Sequence, residues 1–511
     1  MNAVKKISEL SLTAFLEYAH RSYPEGPTKY VVVFQKIKLD DDSIAFSPMD
    51  LFKKCDSILE GGCILESLIQ EKQTGRYSFL AFEPIGIYEL IADKIKEDVE
   101  GHTDIYQGDL FHHVRLFLKR FRASCPPEIE HSATQAIGFI TYDAMRLMEK
   151  IPDRHKKDRA LPEFQLKVYR TTLCFDHQDQ SLVISILVKL GENHQHDYLN
   201  AQDKIESLIR VLLMPMTDSG NNTLFSEEKF TTEKESSEMS DEAFMDLVKK
   251  AQEEIKKGEV FQIVLSRCVS RPTRLSPLDL YLALRKVSPV PYLYYLPLAD
   301  RIIMGASPEC MLRLCKKKVT LNPIAGTCQR TGEKNNDTIE KELLCDHKEL
   351  AEHRMLVDLG RNDLGRVCEV GSVHVEELLK VKHYAHLSHL TSSISGFLRK
   401  HYDMWDALKA CFPAGTLSGA PKCRAMELID QFEQSRRGLY GGAIMRLDHA
   451  GNFDSCIAIR MLTLKQGVVT IRTGAGIVHD SIPSKEAAET HHKACSILTA
   501  MATAEKRGEI P

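Results

Sequence analysis

Tryptophan, paired cysteines and long uncharged apolar stretches are scarce in this chain, and each scarcity excludes something. Trp405 is the only tryptophan in 511 residues. The 14 cysteines run from Cys55 to Cys495 without one C-x-x-C pair, so neither a zinc knuckle nor a disulfide framework is indicated, and the thiols read as reduced and intracellular. No stretch approaches the roughly 18 apolar residues of a membrane-spanning helix. Glu9 and Glu17 interrupt the apolar core a signal peptide would need, so a cytoplasmic location is expected. An excess of one charge is also lacking: 67 basic against 71 acidic residues leave a net charge of -4, which gives no reason to expect a nucleic-acid or anionic-membrane partner. No repeat of fixed period is present.

What is present is the balance of a globular protein, 43% hydrophobic and 27% charged, in a chain long enough for two domains. Residues 1–213 read as a sheet-rich region, with short β-type runs such as Tyr30–Phe34 and Leu182–Leu187. Residues 214–241 are polar and rich in Ser, Thr and Glu, the composition of a linker. From 242 to 511 helical and strand patterns alternate, punctuated by glycine.

The stretch 343–366 carries the first chemical signal. Leu343, Leu350 and Val357, with Leu344, Ala351 and Met355 beside them, make one apolar helix face. Glu349 and Glu352 lie off that stripe, three residues apart, a spacing a hard divalent cation can use. Such a pair is more often a solvated surface, so it needs a second carboxylate set. That set follows Gly474, Ala475 and Gly476, small residues that would let backbone N–H groups approach an anion after the strand-like 468–472. Ser484 can cap a helix in which Glu486, Glu489 and Lys493 share a face, and the bland alternative there is a Glu489 to Lys493 surface pair.

Further motifs stand in register with these: P-I-A-G-T (323–327), K-E-L-A-E-H-R-M-L-V-D-L-G-R-N-D (348–363), F-P-A-G-T-L-S-G-A-P-K (412–422), Y-G-G-A (440–443), I-A-I-R (457–460), G-A-G-I-V (474–478) and E-A-A-E-T-H-H-K-A (486–494). In order and spacing, across 242–504, they resemble the chorismate-utilising enzymes. I-L-E-S (64–67) and G-R-Y-S-F-L (75–80) resemble the amino-terminal region of anthranilate synthase component I. Relatives that add water carry a lysine base where this chain has Gln262. Aminodeoxychorismate synthases carry a nucleophilic lysine where it has Ala325. In this combination the chain resembles the anthranilate synthases, on the side of their large subunit.

The resemblance implies an α+β fold, a four-layer α-β-β-α sandwich with an amino-terminal region carrying a regulatory pocket and a chorismate-binding catalytic region. It implies Mg²⁺ as cofactor, held directly by Glu352 and Glu489 and through water or by orientation by Glu349 and Glu486. Tyr440 and Arg460 would hold the enolpyruvyl carboxylate. Gly326, Thr327 and Gly474 to Gly476 would form an anion cradle, with Lys493 adding charge. Glu309 would be the general acid for the departing ring hydroxyl, with His389 and Thr416 nearby. Glu66, Ser67, Pro291, Tyr292 and Leu293 match the family's tryptophan feedback pocket, although S-P-V-P-Y-L (288–293) departs from the commoner pattern at Ser288 and Val290, and Met445 and Arg446 stand where relatives often have Gly-Tyr.

No G-x-C-x-G elbow of a glutaminase is present, so nitrogen is expected from a separate glutamine amidotransferase subunit, anthranilate synthase component II, in a heterotetramer, or from free ammonia. Two alternatives stay open: an aminodeoxyisochorismate synthase, and a non-catalytic tryptophan-sensing subunit.

Overall fold

The computed structural model describes residues 4–23, 26–39, 47–68, 75–214, 235–288, 290–329, 336–383 and 387–508. Most of the polar segment 214–241 lies outside them. At its described end Ser236–Ser237 pairs with Val269 and Ser270, and the Ser240 side chain caps the helix Asp241–Lys256 by accepting from the N–H of Ala243. No described helix is long and apolar enough to cross a membrane. All thirteen cysteines whose side chains are described are free.

Antiparallel pairing dominates, and it runs across the sequence halves. Phe164–Asp176 pairs with Tyr77–Ile91 along almost its whole length, and its other edge takes Thr134–Ile140 and Ser181–Lys189. Thr134–Ile140 continues onto Ala443–Asp448, and Cys63–Glu66 onto Tyr292–Pro297, with Glu66 opposite Leu293. From there Ile302–Ser307, Met461–Lys465, Val468–Ile477 and Gln262–Pro272 follow in turn. A sheet whose strands branch in this way curls on itself.

Two of the amino-terminal strands, at 15 and 13 residues, are longer than the short runs the composition suggests. The reason lies at Pro84. Proline cannot donate to a ladder, and the strand passes it through a bulge, with Glu83 at φ 56° and the opposite register shifting between Val168 and Tyr169. Ser181–Lys189 is buried at eight successive positions because its sheet is covered on both faces, with the helix His194–Leu213 on one of them.

The stretch 343–366 is two helices, Asn336–Cys345 and His347–Gly365, broken at Asp346. The Asp346 carboxylate accepts from the N–H of Glu349, starting the second helix afresh. The helical register therefore shifts, and Leu344 and Ala351 face solvent. His353, Leu356, Val357 and Leu364 form the buried face, which packs on the strands Ile324–Gln329 and Leu387–Phe397. Around Trp405 the halves interlock: its buried indole meets Phe111 and Phe164 from the first half and Phe453 from the second. Arg115 reinforces the junction with a two-pronged bond to Asp403, at 2.6 and 2.7 Å.

Candidate active site

Glu309 follows the strand Ile302–Ser307, and its backbone is pinned on both sides. Its N–H donates to Ser307 Oγ at 3.3 Å and its C=O accepts from the N–H of Ile457 at 3.0 Å. The carboxyl lies over a small cavity lined also by Asn322, Pro323, Gly360, Asp363 and Thr416. Burial pushes its pKa up to about 8, against the opposing pull of the Thr416 hydroxyl at 3.0 Å and the N–H of Ile324. A carboxyl in that condition is protonated at neutral pH and able to donate.

His389 stands opposite Thr327 in the pairing of Ile324–Gln329 with Leu387–Phe397, and its ring bonds the backbone of Gly326. Burial lowers its pKa, and the Arg460 charge lowers it further, so the imidazole is neutral near pH 7. Gly326 has φ +69°, and a Cβ there would stand 3.2 Å from Glu349 Oε2. The helix His347–Gly365 thus brings Glu349 to the strand of the P-I-A-G-T motif. The Thr327 side chain and residues 384–386 lie outside the described residues.

Arg460 is largely buried and adopts a left-handed backbone at φ 50°, a conformation that a non-glycine residue holds only where its surroundings enforce it. Burial lowers its pKa, while Tyr440 and Glu489 favour its charge. Tyr440 is buried, its phenol pushed up to about 12 by desolvation, and its hydroxyl lies 2.8 Å from where a Cβ on Gly474 would sit.

Gly474, Ala475 and Gly476 do not follow the strand-like run 468–472; they lie inside the strand Val468–Ile477, opposite Ser266, Leu265 and Val264. Their smallness is needed for close packing rather than for a free loop. A Cβ on Gly474 would also meet Leu265 O at 2.6 Å, and one on Gly476 would meet Gln262 Nε2 at 2.9 Å. Gln262 is buried facing this strand, and among the described residues its Oε1 has no hydrogen-bond partner.

The helix Pro483–Gly508 begins one residue before Ser484, with proline in the first turn, so Ser484 is not its cap. Glu486 is buried on it. Glu489 pairs with Lys493 at 2.6 Å, and Lys493 also donates to Gly474 O at 2.8 Å. The pair is therefore tied to the strand below rather than being a free surface contact. The two glutamate pairs sit on separate helices, one at Gly326 and the other at Gly474 and Arg460. Among the described residues no three His, Cys, Asp or Glu side chains converge tightly enough to enclose a cation.

Glu66, Ser67, Pro291, Tyr292 and Leu293 come together elsewhere, on a cavity of about 410 Å³. Glu66 is fully buried and accepts two 2.8 Å bonds from Arg285, with Tyr281 at 3.2 Å; Tyr292 donates to Asp454 at 3.3 Å. Met445 and Arg446 line the same cavity. Sequence reasoning missed Arg285 and the buried residues Ser266, Glu433 and Arg437 beside Gly474 and Tyr440, because their contacts lie far along the chain. The R-R-G-L-Y run at 436–440, leading into Tyr440, is the one local signal that could have drawn notice to Arg437.

The description "chorismate binding enzyme" fits a family model over residues 65–499. Anthranilate synthase component 1 of Acetivibrio thermocellus is 38% identical over 469 residues, 91% of this chain and 94% of that relative. The crystal structure of anthranilate synthase component I from Streptococcus pneumoniae superposes with a TM-score of 0.69 at 33% identity, over 84% of this chain and 93% of that one. The menaquinone-specific isochorismate synthase of Escherichia coli, 19% identical over 96% of this chain and 98% of its own, shares the fold with a TM-score of 0.68. By these matches the chain belongs to the chorismate binding enzyme family, among its anthranilate synthase component 1 members.

Proposed function

We propose that this chain is the large subunit of an anthranilate synthase, a lyase that turns chorismate and ammonia into anthranilate, pyruvate and water for tryptophan biosynthesis. The observation that carries the reading is Glu309: a buried carboxyl, protonated at neutral pH and hydrogen-bonded to Thr416 of the F-P-A-G-T motif. Ammonia attacks ring carbon 2 and forms the C–N bond. The ring electrons shift, the bond from carbon 4 to its hydroxyl breaks, and that hydroxyl leaves as water with the proton of Glu309. Loss of the proton on carbon 2 and cleavage of the enolpyruvyl ether then give the aromatic ring, and the released enol takes up a proton as pyruvate.

Arg460 and Tyr440 would hold the enolpyruvyl carboxylate, and Gly326 with Thr327 the ring end, where neutral His389 adds no competing charge. Gln262, an amide in place of a lysine base, suits a nucleophile that is already basic. Its buried Oε1 can accept an N–H from ammonia.

The donor set fits Mg²⁺, which keeps several waters and needs only one or two protein carboxylates plus a substrate carboxylate. Glu352 and Glu489 would hold the ion, with Glu349 and Glu486 outside them; when bound it neutralises the carboxylate of the substrate ring. The 410 Å³ cavity at Glu66 and Tyr292 would take tryptophan as a feedback inhibitor, with Glu66 and Arg285 as the charged pair. A glutamine amidotransferase subunit would supply the ammonia in a cytoplasmic heterotetramer. A four-layer sandwich is supported by helices backing separate faces: His194–Leu213 lies on Ser181–Lys189, and Pro483–Gly508 lies on Val468–Ile477.

The test is the purified chain with chorismate, Mg²⁺ and an ammonium salt, following anthranilate fluorescence and pyruvate together. Equal appearance of the two is expected. Chorismate consumption without pyruvate would point instead to an aminodeoxyisochorismate synthase, and no consumption to a non-catalytic sensing subunit.

A further inference from the structure

Behind the catalytic pocket lies a buried charged knot that touches neither end of the substrate yet is tied to the elements holding both. Arg437, with 1% of its side chain exposed, donates to Glu433 through Nε and Nη2, to Leu417 O at 2.6 Å through Nη1 and to Val264 O at 2.7 Å through Nη2. Its guanidinium plane lies 4.5 Å from the Tyr142 ring and 5.8 Å from that of Tyr440. Glu433 in turn accepts from both the N–H and the hydroxyl of Ser266 at 2.8 Å.

Each contact ends beside a residue of the site. Leu417 is next to Thr416 in the short turn Gly415–Leu417, and Thr416 is the donor to Glu309. Ser266 and Val264 face Gly474 and Gly476 across the strand pair, and Tyr440 closes against Gly474. A planar fork of five N–H groups can hold three backbone and carboxylate partners at once in fixed directions; an ammonium on a flexible stem cannot.

We infer that Arg437, braced by Glu433, is a positioning residue that sets the Thr416 turn against Glu309 on one side and the Tyr440–Gly474 wall on the other, so that the leaving-group end and the carboxylate end of the substrate keep one spacing. This rests on the anthranilate-forming reading above. The groups that face Glu309 are the Thr416 hydroxyl and the N–H of Ile324. The titratable groups on the same cavity are Asp363, paired with Lys422 at 2.7 Å, and the thiols of Cys310 and Cys411, both pushed up by burial. Only the Thr416 bond depends on the turn that Arg437 holds.

The experiment compares wild type, Arg437→Lys, Thr416→Val and the double variant in the ammonia-dependent reaction, at constant free ammonia across pH. Arg437→Lys should lower kcat at least tenfold and move the alkaline limb of kcat to higher pH, as Thr416→Val should, because loss of the donor raises the Glu309 pKa. The double variant should be no more than about twofold slower than the slower single. Independent, multiplicative losses with no shift of the limb to higher pH would overturn the inference, since a variant that is merely less stable loses active enzyme first at high pH and cannot move the limb upward. If Arg437→Lys does not fold, Ser266→Ala decides: a rise of threefold or more in KM for chorismate with kcat within twofold supports the inference, and an unchanged KM overturns it. Absence of turnover in the wild type would fall on the proposed reaction instead.

Discussion

The hydroxyl of Thr416 donates to Glu309 Oε1 across 3.0 Å, and this bond joins a glycine-rich turn late in the chain to a carboxyl 107 residues earlier. The bond works against the burial that keeps Glu309 protonated, so it moderates the raised pKa rather than causing it.

Glu309→Gln should lower kcat by roughly 10²–10⁴-fold, the usual size of a lost general acid, while chorismate binding persists. Steady-state kinetics beside equilibrium binding of chorismate would separate the two; substantial turnover in the variant removes Glu309 from the acid role. In wild type, activity should fall as pH rises past about 8, where the acid ionises.

The same group makes stability depend on pH. Its folded pKa of about 8 lies above the ordinary 4.5, so the folded state binds the extra proton, and the stability this contributes is complete below 4.5 and lost as pH climbs through about 8. The slope is about 1.4 kcal/mol per pH unit at most. Glu309→Gln should remove that slope, so its melting temperature should exceed that of wild type at pH 8.5 and the gap should shrink toward pH 5. Parallel melting curves would show the effect was misassigned.

Chelation should abolish turnover, and excess Mg²⁺ should restore it. Glu352→Gln and Glu489→Gln should each raise the Mg²⁺ concentration for half-maximal activity tenfold or more. A Mg²⁺ titration that these variants leave unchanged would remove both from the ligand set.

Tryptophan should raise the apparent KM for chorismate, and Glu66→Gln should weaken that inhibition. Arg285→Ala leaves the Glu66 carboxylate buried without its main partner, at a cost of about 3 kcal/mol in chemical denaturation. Inhibition of equal strength in Glu66→Gln would place the inhibitor elsewhere.

Trp405→Ala should cost about 3–5 kcal/mol by denaturant unfolding, since the indole bridges Phe111 and Phe164 to Phe453. Because those rings come from both sequence halves, the halves should unfold in one transition in wild type.

Residue order alone was enough to point to the family of this protein. Glutamates three apart on a helix, small residues where a backbone must be approached, and an amide rather than a lysine at 262 are local patterns, and local patterns survive without knowledge of the fold. The same reading placed 474–476 beyond the end of a strand and took 343–366 as one helix, because a strand is defined by its partner and a helix break by a single cap at Asp346. Tertiary structure decided the rest. The protonation of Glu309 comes from desolvation by neighbours distant in sequence, the union of the two halves from strand pairs such as Glu66 with Leu293, and the grip of Arg437 on Leu417 and Val264 from contacts 20 and 173 residues away. Burial and pairing are properties of the folded surface, and no spacing in the sequence encodes them directly.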